Sequence, residues 1–189
     1  MENKITIDNA VAPEDFEQLQ EHFSSPHFDW YFNSSAVKGN TNTFQFIHAV
    51  YVNEVVNYND LLALQPVNNV LQPQSLLRIK ANLSTKGNTH NLSGMHVDND
   101  VPGALTAVYY INTNNGYTEF EDGDKVESVE NRLVIFPSRL RHSGVNCTNE
   151  QRRVVININY VPYYENTIWQ SLMTKEDKAY REYWGHDTA

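Results

Sequence analysis

Cysteine is almost absent: Cys147 is the only one in the chain. That excludes an intrachain disulfide and a cysteine-built zinc knot. Basic residues are also scarce, with 14 Lys and Arg against 23 Asp and Glu and a formal net charge of −9. Such a chain lacks the broad basic footprint of a nucleic-acid binder, so DNA or RNA is not the expected partner. No apolar run approaches the ~20 residues that cross a bilayer. The opening Met1-Glu2-Asn3-Lys4-Ile5 carries no apolar signal region. A reducing, cytoplasmic setting and no membrane partner are the expectation. Internal repeats and clear domain boundaries are missing as well.

What is present is core material. Hydrophobic residues make up 40% of the 189, with 11 Tyr and 8 Phe, which argues against disorder over most of the length. The length suits one domain with a sizeable core. The expected organisation is a single domain over 1–189. Its core lies at about 75–160, with helical support before it and a helical tail after it.

In order, Ala12 to Phe23 reads as an amphipathic helix, with Pro13 in the first turn and Phe16, Leu19 and Phe23 on one face. Phe28 to Phe32 is aromatic and extended, Val37 to Asn42 is a loop, and Thr43 to Val52 is strand-like. Asn59-Asp60 is placed to cap a helix running to Val70, with Pro66 marking a break or kink. From Ser75 to Leu83, the apolar Leu77, Ile79, Ala81 and Leu83 alternate with Arg78, Lys80 and Asn82. That is a strand with one apolar and one polar face. Ser84 to Gly94 is a polar loop and a candidate lid. Strands follow at Ala104–Asn112, Tyr117–Phe120, Asn131–Phe136 and Arg152–Tyr160, separated by turns. Short strands at this spacing predict a sandwich or barrel. The tail is helical from about Asn166 to Trp184.

The chemistry centres on His96-Val97-Asp98. On extended backbone, residues two apart point the same way. An imidazole and a carboxylate then reach a common point. His142, arriving from a distant strand, would complete two His and one carboxylate on one face of a metal. Open positions opposite are the arrangement of non-haem Fe(II) oxygenases. Zinc accepts the same ligands, so donor type alone leaves the metal open between the two. His22, His27, His48, His90 and His186 read as surface or hydrogen-bonded residues.

A second constellation is Arg152 to Tyr160. Strand parity puts Arg153, Val155, Asn157 and Asn159 on one face and Arg152, Val154, Ile156 and Ile158 on the other. The more polar set should line a cavity. Arg153 would then offer a guanidinium fork, which grips a carboxylate with two parallel hydrogen bonds. Arg152 is the alternative if the strand phase is reversed.

At these residues the sequence resembles the Fe(II)/2-oxoglutarate-dependent oxygenases, and among them the prolyl 4-hydroxylase-like branch. The resemblance runs from about Leu76 to Tyr160. It rests on His96-Val97-Asp98, Ala107 to Asn112, Gly116 to Phe120, Val134-Ile135-Phe136-Pro137, His142 and Arg153 in that order. It implies a mainly β double-stranded β-helix (jelly roll, cupin-like) with flanking helices. It implies His96, Asp98 and His142 as Fe(II) ligands and 2-oxoglutarate as cosubstrate. Arg153 and Tyr110 would hold the distal carboxylate, with Thr118 a further cosubstrate-pocket position. Parity agrees for Tyr110, which shares a face with Thr106 and Val108 while Tyr109 points away. Asn82 stands where the family usually has a tyrosine. Ascorbate would support activity.

The implied reaction takes dioxygen, hydroxylates a C–H bond, and releases succinate and carbon dioxide. A carboxylate at Asp98 argues for hydroxylation, since related halogenases carry a small residue there. The branch favours a protein or peptide side chain as substrate. A small-molecule hydroxylase of the same superfamily, a zinc-dependent cupin-like enzyme and a non-catalytic metal-binding jelly roll are the alternatives. The sequence leaves the oligomeric state open.

Overall fold

The computed structural model describes residues 4–37, 43–163 and 165–185. The expected loop thus falls largely, at 38–42, outside the described residues, as does His186. The chain opens with strand β1 (Ile5–Ile7) and helix α1 (Pro13–Ser24). In α1, Pro13 occupies the first turn, Glu14 and Asp15 complement the positive helix end, and Leu19 and Phe23 are buried. Strands β2 (Tyr31–Asn33), β3 (Gln45–Val52) and β4 (Val55–Val56) follow.

The segment expected as one helix to Val70 is two, α2 (Tyr58–Ala63) and α3 (Gln65–Leu71), meeting at Leu64. Pro66 sits in the first turn of α3, where its missing N–H leaves no bond unmade. Asn59 and Asp60 do not cap. Helix α2 has already begun at Tyr58, behind Asn57. Asp60 is buried, and its carboxylate bridges His22 Nε2 and His48 Nε2, each at 2.7 Å. Two imidazole partners thus take the oxygens that a cap would have offered to backbone N–H groups. His22 and His48 are hydrogen-bonded residues as expected, and His27 and His90 are exposed.

The remaining elements are β5 (Pro73–Thr85), β6 (Leu105–Tyr110), β7 (Tyr117–Phe120), β8 (Lys125–Glu127), β9 (Arg132–Pro137), β10 (His142–Val145), β11 (Arg152–Pro162), α4 (Thr167–Leu172) and α5 (Lys175–Gly185). Among the described residues they form two antiparallel sheets. The large one has the order β1-β9-β6-β11-β5-β3-β2, with β4 on β3, and the small one the order β10-β7-β8. This is the mainly β jelly roll expected. The expected tail helix is broken between α4 and α5 at Met173 and Thr174.

Two cores follow from strand alternation. Ile79, Ala81 and Leu83 of β5 and Val154, Ile156 and Ile158 of β11 pack with Tyr109, Leu133 and Ile135. Against that face lie Leu19 and Phe23 of α1, Val67 and Leu71 of α3, and Trp169 of α4. On the opposite face Val108, Tyr110, Val134, Phe136 and Val155 meet Phe120 of the small sheet. That second core is small. Beside it opens a pocket of about 590 Å³ lined by Arg78, Asp98, His142, Arg153 and Asn157 among others.

Candidate metal centre

His96 and Asp98 lie on no named strand. Their segment is held to β10 by two isolated antiparallel bridges, Leu92 with Val145 and His96 with His142. The backbone of Asp98 donates to the carbonyl of Ser138, at 3.1 Å. These bonds give the extended geometry that the two-residue spacing requires. One ligand atom from each of His96, Asp98 and His142 lies within 4.8 Å of the other two. His96 Nε2 is 3.7 Å from Asp98 Oδ1, and His142 Nε2 is 3.7 Å from Asp98 Oδ2.

The imidazoles are oriented for this. Nδ1 of His96 donates to the carbonyl of Gly94 at 3.0 Å, and Nδ1 of His142 donates to that of Leu140 at 2.9 Å. A proton on each Nδ1 leaves an Nε2 lone pair aimed at the shared point, the arrangement that fixes ligand tautomers in metal sites. Asp98 is held from both oxygens. Arg78 donates to Oδ1 at 2.9 Å. Thr106 Oγ1, Asn157 Nδ2 and Asn159 Nδ2 donate to Oδ2 at 2.9, 3.1 and 3.0 Å. Burial opposes ionisation of Asp98, but His142, Arg78 and Asn157 hold its carboxyl below the usual range. Burial likewise depresses the His142 imidazole, more than Asp98 raises it. Two imidazoles and one carboxylate, already converged, fit a divalent first-row metal such as Fe(II).

Deeper in the same pocket lies Arg153, 6% exposed. Its Nε donates to Ser128 Oγ at 2.7 Å and its second terminal nitrogen to Thr118 Oγ1 at 3.2 Å. Among the described residues no carboxylate lies within ion-pair distance of it. A buried cation held only by hydroxyls is costly unless an anion joins it, so the cradle fits one carboxylate of a diacid. Gly116 makes room for it: a Cβ there would stand 2.7 Å from Arg153 Cδ. The phase expected from the sequence is the observed one, with Val154, Ile156 and Ile158 on the helix-side core. Arg152 is half-buried and does not line the pocket.

Thr118 and Asn82 line the pocket. Tyr110 stands one layer behind. Its hydroxyl donates to Thr118 Oγ1 at 2.8 Å, and the Arg153 guanidinium lies 5.5 Å from its ring centroid. Tyr109 points to the other core, donating to Asn131, as parity required. Arg78 and Lys80 also face the pocket rather than open solvent. Ser128 was not anticipated. It lies in the loop after β8, where no periodicity tells which way a side chain points.

No protein-family model matches the chain, and no curated protein does. Solved structures do match in fold. One is a prolyl hydroxylase from Trichoplax adhaerens in complex with a hypoxia inducible factor peptide fragment. It has TM-score 0.56 and 14% identity, over 94% of this chain and 86% of that one. A second is a 2OG-Fe(II) oxygenase family oxidoreductase from Burkholderia pseudomallei, with TM-score 0.59 and 11% identity, over 84% and 85%. A third is the non-heme alpha ketoglutarate dependent epimerase SnoN from nogalamycin biosynthesis, with TM-score 0.61 and 12% identity, over 85% and 78%. The fold is therefore the double-stranded β-helix found in 2-oxoglutarate/Fe(II) oxygenases. Within it, this chain converges His96, Asp98 and His142 at one point and buries Arg153 in the same pocket.

Proposed function

We propose that this chain is an Fe(II)- and 2-oxoglutarate-dependent oxygenase that hydroxylates a C–H bond of a protein or peptide side chain. The observation that carries the proposal is a convergent His–Asp–His set sharing one pocket with a buried guanidinium that has no acid partner among the described residues. His96, Asp98 and His142 would hold the iron, and Arg153, supported by Thr118 and Ser128, the distal carboxylate of the cosubstrate. Iron bound there supplies dioxygen activation coupled to decarboxylation of 2-oxoglutarate to succinate and carbon dioxide.

The protein's part is placement. Arg78, Thr106, Asn157 and Asn159 fix the Asp98 carboxylate, and the two Nδ1 hydrogen bonds fix the imidazoles. Tyr110 backs Thr118 and sets the direction of its hydroxyl. The peptide-bound prolyl hydroxylase in the same fold supports a peptide substrate; the epimerase keeps a small molecule as the second reading. Purified protein with Fe(II), ascorbate and 2-oxoglutarate should release succinate, faster once a substrate is added. A peptide library followed by mass spectrometry should show a gain of about 16 Da, one oxygen atom, as expected for C–H hydroxylation. Failure to bind 2-oxoglutarate in a metal-dependent way would end the proposal.

A further inference from the structure

The pocket is basic in an acidic chain. Among the described residues lining it, Arg78, Lys80 and Arg153 are cationic and Asp98 is the one acid. The whole chain carries −9. Register fixes the order of these groups along the wall. Arg153 lies opposite Ser84, Asn157 opposite Lys80, and Asn159 opposite Arg78. Lys80 is thus four residues along β5 from the Arg153 row, roughly 13 Å at strand rise, and sits toward the Asp98 end.

The three cations differ in what answers them. Arg78 donates to Asp98, and Arg153 is cradled for a diacid. Lys80 has no carboxylate within ion-pair distance among the described residues. Burial, and Arg78 beside it, lower its pKa, so its charge is held against cost. Across from it, Asn157 commits Nδ2 to Asp98, which fixes the direction of its amide. Its Oδ1 is left buried without a hydrogen-bond partner. A cation and an acceptor therefore stand side by side on neighbouring strands, each lacking a partner among the described residues.

We propose that Lys80 and Asn157 recognise an anionic primary substrate, with a carboxylate or phosphate oxygen on the Lys80 ammonium and a neighbouring N–H or O–H on Asn157 Oδ1. The inference rests on the oxygenase reading above. Charge balance supports it. A divalent metal and a dianionic cosubstrate cancel, and three lining cations less one acid leave two positive charges in the pocket. A neutral substrate would leave the half-buried Lys80 uncompensated, whereas an acidic one removes that cost.

The test titrates N-acetylglycine and N-acetylglycinamide by anaerobic calorimetry into protein carrying Fe(II) and saturating 2-oxoglutarate. The acid presents a carboxylate next to an N–H, and the amide lacks the charge. The acid should bind at least tenfold tighter. Lys80→Met should abolish that preference, Lys80→Arg should keep it, and both should bind 2-oxoglutarate within twofold of the parent. Equal or undetectable binding of acid and amide, or a preference that survives Lys80→Met, overturns the inference. A tenfold loss of 2-oxoglutarate affinity in Lys80→Met would also overturn it, by assigning the ammonium to the cosubstrate. If the parent protein fails to bind 2-oxoglutarate, the oxygenase reading falls first. The acid-over-amide comparison made without 2-oxoglutarate then judges Lys80 by itself.

Discussion

His96 and His142 are bonded to each other through their backbones, each N–H donating to the other's carbonyl at 3.0 Å. A pair that exchanges both bonds holds its Cα atoms about 5.5 Å apart, with side chains on one face. The imidazole centroids are accordingly 4.6 Å apart. Separation of the two imidazole ligands is set by the main chain. Either side chain can then be removed without loosening the bridge. His142→Ala and His96→Ala should each abolish Fe(II) binding while thermal stability of the metal-free protein changes little. Calorimetric titration, together with the loss of the metal-induced rise in Tm, checks this.

Asn159 donates to both Asp98 Oδ2, at 3.0 Å, and Thr106 Oγ1, at 2.9 Å. Removing it should free the carboxylate to rotate without removing a ligand. Asn159→Ala is expected to weaken metal affinity by roughly 10- to 100-fold, the usual cost of losing a residue that orients a ligand. The number of metal ions bound per chain should stay the same.

Arg153 and its neighbour Arg152 give a paired test. Arg153→Ala should raise the 2-oxoglutarate requirement at least tenfold with iron binding intact, because of these two neighbours only Arg153 lines the pocket. Arg152→Ala should leave it within twofold. If the two results exchange places, the assignment of the cosubstrate arginine is wrong.

Gly116 predicts a milder version of the same loss. A methyl group there meets Arg153 Cδ and the Val145 carbonyl at 2.7 Å and Asn114 Oδ1 at 2.8 Å. Gly116→Ala should cost roughly 1–3 kcal/mol of stability, as overpacking of a tight site usually does. It should also weaken 2-oxoglutarate without touching iron. Thermal melts and ligand titration report the two effects separately.

The tail supplies a pH prediction. Burial pushes the Asp177 carboxyl up, but hydrogen bonds from Arg139 and Thr174 outweigh it and hold the pKa at about 2. A carboxyl depressed in the folded state stabilises above its unfolded pKa and loses that contribution as pH falls through the folded one. The Arg139 pair should thus be fully effective above about pH 4 and lost toward about pH 2. Arg139→Met should destabilise by roughly 1 kcal/mol near neutrality, a small value because Arg139 is half-exposed. The gap should close in the acid range, as urea titrations at stepped pH will report.

Much of the site was readable because it sits on long alternating strands. β5 and β11 repeat every two residues, so order alone put Lys80 with Asn82 on one face and Arg153 with Asn157 on another; that the two faces join in one wall shows only in the strand pairing. The resemblance supplied what alternation could not, the pairing of His142 with His96 and Asp98. Short elements were harder. β1 and β8 have three residues each, too few to show a period. Asp60 was misread as a cap because its partners, His22 and His48, come from distant parts of the chain. Ser128 and Thr106 support the pocket through contacts that only tertiary packing creates.

Strand β11 serves two interiors at once, with Arg153, Val155 and Asn157 facing the pocket and Val154, Ile156 and Ile158 the helices. Adding or deleting one residue between Arg153 and Asn159 would exchange the two sets downstream of the change. It would also alter the interval between the guanidinium and the amides that steady Asp98. The strand therefore acts as a ruler whose graduations cannot be redrawn singly. A change of length in a flanking loop would leave this interval as it is; a change inside the strand would not.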